Sequence, residues 1–328
     1  MKKTVLACLF ASAALLSVTA HAADKIRMGV VVKVGGNAWF NAMEAGIKSE
    51  AAKEGIDAWE VGPTSDDPAL QVRAIEDLIA QKVDIIGVVP NDAKVLEPVL
   101  KRARDAGIKV ITHESPDQKY ANWDFELVDS AQLGIKNMVA LAECMKETGD
   151  YAVYVGGLTV PIHKTWSDAA INYQKAHYPN MHQVGDKFGV GESLDDTIRT
   201  TNDLMSKDQN LKGILAIGSQ GPIGAGRAIQ NRGKNGDICV YGPFSPSQGA
   251  SLVKSGAING GYIWNPLVAG QVFVRVAGMI SKGQPITDGM EIEGMGKVKV
   301  DDATHTILGN KTESLDKDNL PKLVKMGL

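Results

Sequence analysis

The chain has 328 residues, 44% of them hydrophobic and 22% charged, with a formal net charge of −3. That balance is ordinary for a globular protein, and no segment is low-complexity or repeats with the period of a solenoid. There is no basic block to meet a nucleic acid, and no apolar run beyond residue 22 approaches the ~18–20 residues that span a membrane.

The first 22 residues read as a cleavable secretory signal. Lys2 and Lys3 give a positive start, Val5–Val18 is an uncharged run of 14 residues, and Ala20-His21-Ala22 supplies small residues at the cleavage positions. The run is too short to be a membrane anchor. Leu6-Ala7-Cys8 has the look of a lipoprotein box, but it opens the apolar run instead of closing it, so lipidation is not expected. Cleavage after Ala22 leaves 306 residues (328 − 22) and a net charge of −5 (−3 − 2). The mature protein is expected in a bacterial periplasm, where cytosolic cofactors are scarce, and no cofactor is expected. Its length suits two domains of ~150 residues.

Beyond the signal, apolar β-rich runs alternate with amphipathic helical ones. Strands are expected at Ile26–Val32, Ala58–Val61, Ile85–Val89, Lys109–Thr112 and Tyr151–Val155, then at Gln183–Phe188, Ile214–Ile217, Ile238–Tyr241 and Gly260–Ile263. Continuous runs such as Ile85-Ile86-Gly87-Val88-Val89 suit strands covered on both faces, as in parallel sheets. Helices are expected at Ala38–Glu54, Pro68–Gln81, Lys94–Ala106, Ala131–Thr148 and Thr165–Tyr178, then at Asp195–Lys207, Pro222–Asn231, Pro246–Lys254 and Pro266–Lys282. Gly55 and Gly107 follow helices and read as their stops. Repeated β-α units define an α/β, doubly wound parallel sheet, here in two groups without a flexible tether between them. Cys144 and Cys239 are expected to be buried free thiols, although an oxidising compartment would let them pair.

The chain resembles the type I periplasmic substrate-binding proteins of ABC sugar uptake systems, within them the rhamnose-binding and autoinducer-2-binding receptors. The matching words are Lys33-Val34-Gly35-Gly36-Asn37-Ala38-Trp39-Phe40, Asp84-Ile85-Ile86-Gly87-Val88-Val89-Pro90 and Ala106-Gly107-Ile108-Lys109-Val110-Ile111-Thr112-His113-Glu114. Ala131-Gln132-Leu133-Gly134, Ile263-Trp264-Asn265-Pro266 and the tail from Ile292-Glu293-Gly294 to Asp318-Asn319-Leu320 continue the match in order. The resemblance implies two lobes joined by three hinge strands, a sugar-sized ligand between them, and closure on binding. It places residues 23–128 and 266–290 in an N-terminal lobe and residues 129–265 and 291–328 in a C-terminal lobe. It also implies a monomer that serves an inner-membrane ABC permease with its cytoplasmic ATPase, or a chemoreceptor.

In open α/β sheets, ligands bind beyond the C-terminal strand ends. The loops there hold Trp39, Phe40, Trp166 and Trp264, whose rings can stack on the C–H faces of a sugar. Among the polar candidates, Lys33, Asn37, Glu114, His163, Gln220 and Asn265 can meet its hydroxyls, and a carboxylate such as Glu114 orients two vicinal hydroxyls. In the autoinducer-2 receptors the acid-amide pair that holds the ligand falls at Ile162-His163, and a proline and alanine fall at Gly218 and Gln220; Glu114 stands for a shorter aspartate. Autoinducer-2 is therefore expected to bind poorly, and a pentose, deoxyhexose or small polyol to bind well. The alternatives are an autoinducer-2 binding and uptake or chemosensory receptor, and an exported enzyme. Ser219 in Gly218-Ser219-Gln220-Gly221 is not a nucleophile elbow, and Gly221, Gly224 and Gly226 have the wrong spacing for a dinucleotide fingerprint. His177 and His182 lack a ligand set for metal.

Overall fold

The computed structural model describes residues 25–328; the expected signal peptide lies outside the described residues. The chain begins with β1 (Arg27–Val31), α1 (Ala38–Glu54), β2 (Asp57–Val61), α2 (Pro68–Ala80), β3 (Ile85–Val88), α3 (Ala93–Asp105), β4 (Lys109–His113) and β5 (Trp123–Glu126). It then runs through α4 (Ser130–Met145), β6 (Gly149–Val155), α5 (Pro161–His177), β7 (Met181–Gln183), β8 (Phe188–Gly189), α6 (Leu194–Lys207), β9 (Leu211–Ala216) and α7 (Gly221–Asn231). After β10 (Cys239–Tyr241), α8 (Pro246–Ser255) and β11 (Tyr262–Ile263) come α9 (Pro266–Ser281), β12 (Glu291–Ile292), β13 (Gly296–Lys297), β14 (Lys299–Asp301), β15 (Thr306–Leu308), β16 (Glu313–Ser314) and α10 (Leu320–Lys325).

Two separate sheets result. The first has the order β14-β15-β5-β4-β3-β1-β2 and is parallel except at its β14 edge. The second has the order β10-β9-β6-β7, with β8 also on β6, and is parallel throughout. The apolar runs that suggested two-sided burial obey it: Ile85–Val88 and Val30–Val32 are buried throughout. The chain passes between the sheets three times, at residues 127–129, 264–265 and 309–312.

Helix starts carry their own punctuation. The Asn37 side chain accepts from Phe40 N at 3.0 Å, and Asp67, Asp92 and Asn265 cap α2, α3 and α9 in the same way. Each such cap satisfies an orphan backbone donor, a contribution of about 1 kcal/mol. Pro68 and Pro266 fill first-turn positions that need no N–H.

Helix α9 returns to the first lobe and packs on α1 through glycines at the crossing. A Cβ at Gly46 would sit 1.9 Å from the Leu267 carbonyl oxygen, a backbone atom that cannot step aside. Gly46→Ala is expected to force the two helices apart and cost about 3 kcal/mol, at the upper end of overpacking effects. Thermal and denaturant melts check it; a midpoint unchanged from the parent would refute the close approach.

Three expectations are corrected. The run Gln183–Phe188 is not one strand: Gly185 turns the backbone at φ +63, so β7 and β8 pair separately with β6. Residues 299–308, expected in the C-terminal lobe, form β14 and β15 and extend the first sheet beside β5; β16 then pairs with β11 on the other side of the crossing. Cys144 and Cys239 are not free thiols but a disulfide that ties the end of α4 to β10.

Candidate functional site

The C-terminal strand ends of both sheets face one shared cavity, lined from both sides. A water-sized sphere can move its centre through only about 20 Å³ of it, so the walls stand close. Two hydrogen bonds reach from one lobe to the other: Asn37 Nδ2 donates to Ser219 Oγ at 3.3 Å, and Thr159 Oγ1 donates to the Asn91 carbonyl at 3.5 Å. The cleft is shut.

Three indoles form the apolar wall. Trp39 comes from the first turn of α1, Trp166 from the start of α5, and Trp264 from the crossing before α9. Trp264 stands edge-on to both others, with ring centroids 5.4 Å from Trp39 and 5.0 Å from Trp166. Such T-shaped pairs add about 0.5–1.5 kcal/mol each beyond their burial. Phe40 completes this wall. Behind Trp264 lies His113, stacked on Phe125 at 4.5 Å, its Nδ1–H donating to the Phe125 carbonyl at 2.7 Å. Burial holds the His113 pKa down, so this ring is a neutral support. The indole N–H groups of Trp166 and Trp264 are buried and have no partner among the described residues. An indole nitrogen can only donate, so each of these groups can serve an acceptor on a bound ligand.

Lys33 and Glu114 form an ion pair with each side chain only 2–3% exposed. Burial works against the Lys33 charge, but Glu114, Glu192 and Asp66 outweigh it and hold its pKa above the ordinary range. Glu114 occupies φ +66, a left-handed conformation rare outside glycine that persists where the surroundings enforce it. Behind this pair, burial pushes Asp124 up to about 7 and Glu126 well above the usual carboxylate range. Asp124 Oδ1 accepts from Thr112 Oγ1 at 2.9 Å and from Ser115 N at 3.2 Å.

From the second lobe come His163, Glu192, Gly218, Ser219 and Pro243. His163 Nδ1 accepts from Gly156 N at 3.0 Å, which assigns the ring proton to Nε2. Burial, with Lys33 adding, keeps this ring neutral by holding its pKa well below the ordinary value. Glu192 Oε2 accepts from both Ser219 Oγ, at 2.5 Å, and Ser219 N, at 3.2 Å.

Seven of the expected site residues therefore line the cavity: Lys33, Trp39, Phe40, Glu114, His163, Trp166 and Trp264. Asn37 and Asn265 instead cap helices, and Gln220 donates to Ser219 Oγ at 3.5 Å from behind the wall. Glu192 was not expected. It sits in the short loop after β8, immediately before the Ser193 N-cap of α6. Among the described residues there is no cluster fit to hold a metal ion, and no helix is long and apolar enough to cross a membrane.

Two crossed α/β units closing on an aromatic cavity define a bilobal ligand-binding protein. The family model of the periplasmic binding protein domain matches residues 28–285, and the chain belongs to that family. It is similar to the D-ribose/D-allose-binding protein of Pseudomonas aeruginosa, 24% identical over 259 residues that cover 74% of this chain and 78% of the relative. It is also similar to the xylitol-binding protein of Mycolicibacterium smegmatis, 24% identical over 307 residues, 91% of this chain and 85% of the relative. Among solved structures, LsrB from Clostridium saccharobutylicum in complex with AI-2 superposes with a TM-score of 0.84 at 22% identity, over 90% of this chain and 99% of that one. An ABC transporter solute-binding protein from Clostridium phytofermentas with bound L-rhamnose gives 0.85 at 21% identity, over 92% and 99%.

Proposed function

We propose that this protein is the periplasmic solute receptor of an ABC importer, and that it binds a pentose, deoxyhexose or small polyol between its lobes. The observation that carries this reading is the cavity itself: an indole wall with two unpartnered N–H donors beside an ion pair. A polyhydroxylated ring offers C–H faces to the first and oxygens to the second. The named relatives that bind ribose, allose and xylitol support the same ligand class. The export signal and the family's periplasmic character support the location.

The mechanism follows from contacts on both sides. Lys33, Trp39 and Glu114 belong to one lobe, and His163, Trp166 and Ser219 to the other. A ligand touching both sets stabilises the shut form in proportion to its preference for that form over the open one. The shut monomer then docks on the permease, with the cytoplasmic ATPase behind it; a chemoreceptor reading the same shut form is compatible with this.

The test is native mass spectrometry of protein purified from its own periplasm, followed by calorimetry against D-ribose, D-arabinose, L-rhamnose, xylitol and autoinducer-2. A co-purifying neutral sugar or polyol and a sub-millimolar constant are expected; no binder in the panel would sink the sugar reading. Trp39→Ala removes the first-lobe face of the wall and should weaken the bound sugar at least tenfold, about 1.4 kcal/mol. Its far-UV circular dichroism should match the parent, and undiminished affinity would remove Trp39 from the site.

Autoinducer-2 belongs in the panel for a specific reason. With Ile162 in place of the acid, a ligand hydroxyl loses an acceptor, about 1–3 kcal/mol, so autoinducer-2 should bind more weakly than the best sugar; tighter binding would overturn that expectation.

A further inference from the structure

Glu192 is a buried carboxylate built into the cavity with one oxygen already committed. Its Oε2 takes both donors of Ser219, and Ser219 Oγ in turn accepts from Asn37 across the cleft. The other oxygen, Oε1, faces His163 Nε2 at 3.9 Å. That separation is too long for a direct hydrogen bond. It does fit one hydroxyl group placed beside both atoms, accepting from the imidazole N–H and donating to the carboxylate.

Resting on the sugar-binding reading above, we propose that Glu192 and His163 together read one hydroxyl of the ligand, and that Glu192 does so as the ionised carboxylate. Glu114, in the first lobe, is tied to Lys33, whereas Glu192 is the carboxylate that the second lobe brings to the cavity. Ser219, Glu192 and His163 all stand on the second lobe, and Asn37 reaches Ser219 Oγ from the first lobe across the cleft. The charged and titratable groups around Glu192 are Lys33 at the end of β1, Asp66 in the loop after β2, Glu114 after β4, and His163 on α5.

A measurable consequence is a proton linked to binding. Burial, with Asp66 and Glu114 adding and Lys33 and Ser219 opposing, pushes the Glu192 carboxyl up to about 7. A hydroxyl that donates to the carboxylate favours its charged form and lowers that value again. Binding therefore releases a proton below pH 7, and affinity rises with pH until about 7 and is flat above it. For a carboxyl that keeps the shut form's value of about 7 before the ligand arrives, and with only the ionised form binding, the constant at pH 5.5 is weaker than at pH 8 by roughly thirtyfold.

The experiment titrates D-ribose, D-arabinose, L-rhamnose and xylitol by calorimetry at pH 5.5, 7 and 8, with wild type and with Glu192→Gln. Melting curves without ligand verify that the variant is folded; the amide keeps an acceptor for Ser219. The expected result is a wild-type affinity that climbs at least tenfold from pH 5.5 to 8. In Glu192→Gln the affinity at pH 8 falls at least tenfold and the climb disappears. A wild-type profile that is flat or falls with pH overturns the proposal, and so does a folded Glu192→Gln variant with wild-type affinity and wild-type slope. Failure of all four compounds to bind wild type at any pH rejects the sugar-binding reading itself, a different outcome from either of these.

Discussion

Glu114→Ala is expected to weaken binding of the best sugar in the panel by at least a hundredfold. Glu114 and Lys33 are both almost wholly buried when the cleft is shut. Without Glu114, the buried Lys33 charge keeps only the more distant Glu192 and Asp66; breaking a buried pair costs about 3–5 kcal/mol, and 2.7 kcal/mol is already a hundredfold. The loss concentrates in the shut, ligand-bound form. In the open form water can reach Lys33, so the melting temperature without ligand should fall far less than the ligand-induced rise in melting temperature does. Calorimetry on the variant together with melts at zero and saturating ligand separates the two. An affinity within tenfold of the parent would mean that the pair is a bystander.

Replacing both Cys144 and Cys239 by alanine is expected to lower the unfolding free energy of the second lobe by about 4 kcal/mol. The bridge joins positions 95 residues apart, and in the chain-entropy account a loop of that length restricts the unfolded chain by nearly 5 kcal/mol. Guanidinium unfolding of parent and double variant, each with and without reductant, checks this. The parent should shift to a lower midpoint when reduced and the variant should not respond. Equal midpoints in all four would show that the bridge contributes nothing. Sugar affinity at 25 °C should change little, because neither cysteine lines the cavity.

Most of the architecture was legible because two-sided burial writes itself as uninterrupted Val and Ile. Helix α1 spans Ala38–Glu54 as its cap and its C-terminal Gly55 indicate. The burial of strand β5 was not legible: Trp123-Asp124-Phe125-Glu126 alternates apolar with acidic residues, the pattern of a strand with a wet face. Here the acidic face is buried, with Asp124 held by Thr112 and Ser115 and both carboxyls shifted upward instead of hydrated. The disulfide was illegible for a related reason, since the proximity of α4 and β10 is a tertiary fact.

The site shows the same division. Aromatic residues at strand ends betrayed the wall, because an indole in a loop needs something to bury it. Helix α5 begins at Pro161, not at Thr165, so His163 and Trp166 sit on a helical turn and their spacing is set by helix geometry. Glu192 escaped because Gly191-Glu192-Ser193 reads as a solvated turn before a helix. Its position beyond a strand end was the available signal, obscured by joining β7 and β8 into one strand.

The three-indole stack gives the protein an optical gauge of its own aperture. One ring rides on each jaw and the third sits at the pivot between them, and the edge contacts at 5.4 and 5.0 Å cannot both survive a rotation of one jaw against the other. Opening would therefore wet at least one indole that is at most 5% exposed in the shut form. With three of the chain's five tryptophans in this stack, the native emission spectrum would track the angle of the cleft in real time, with no dye attached.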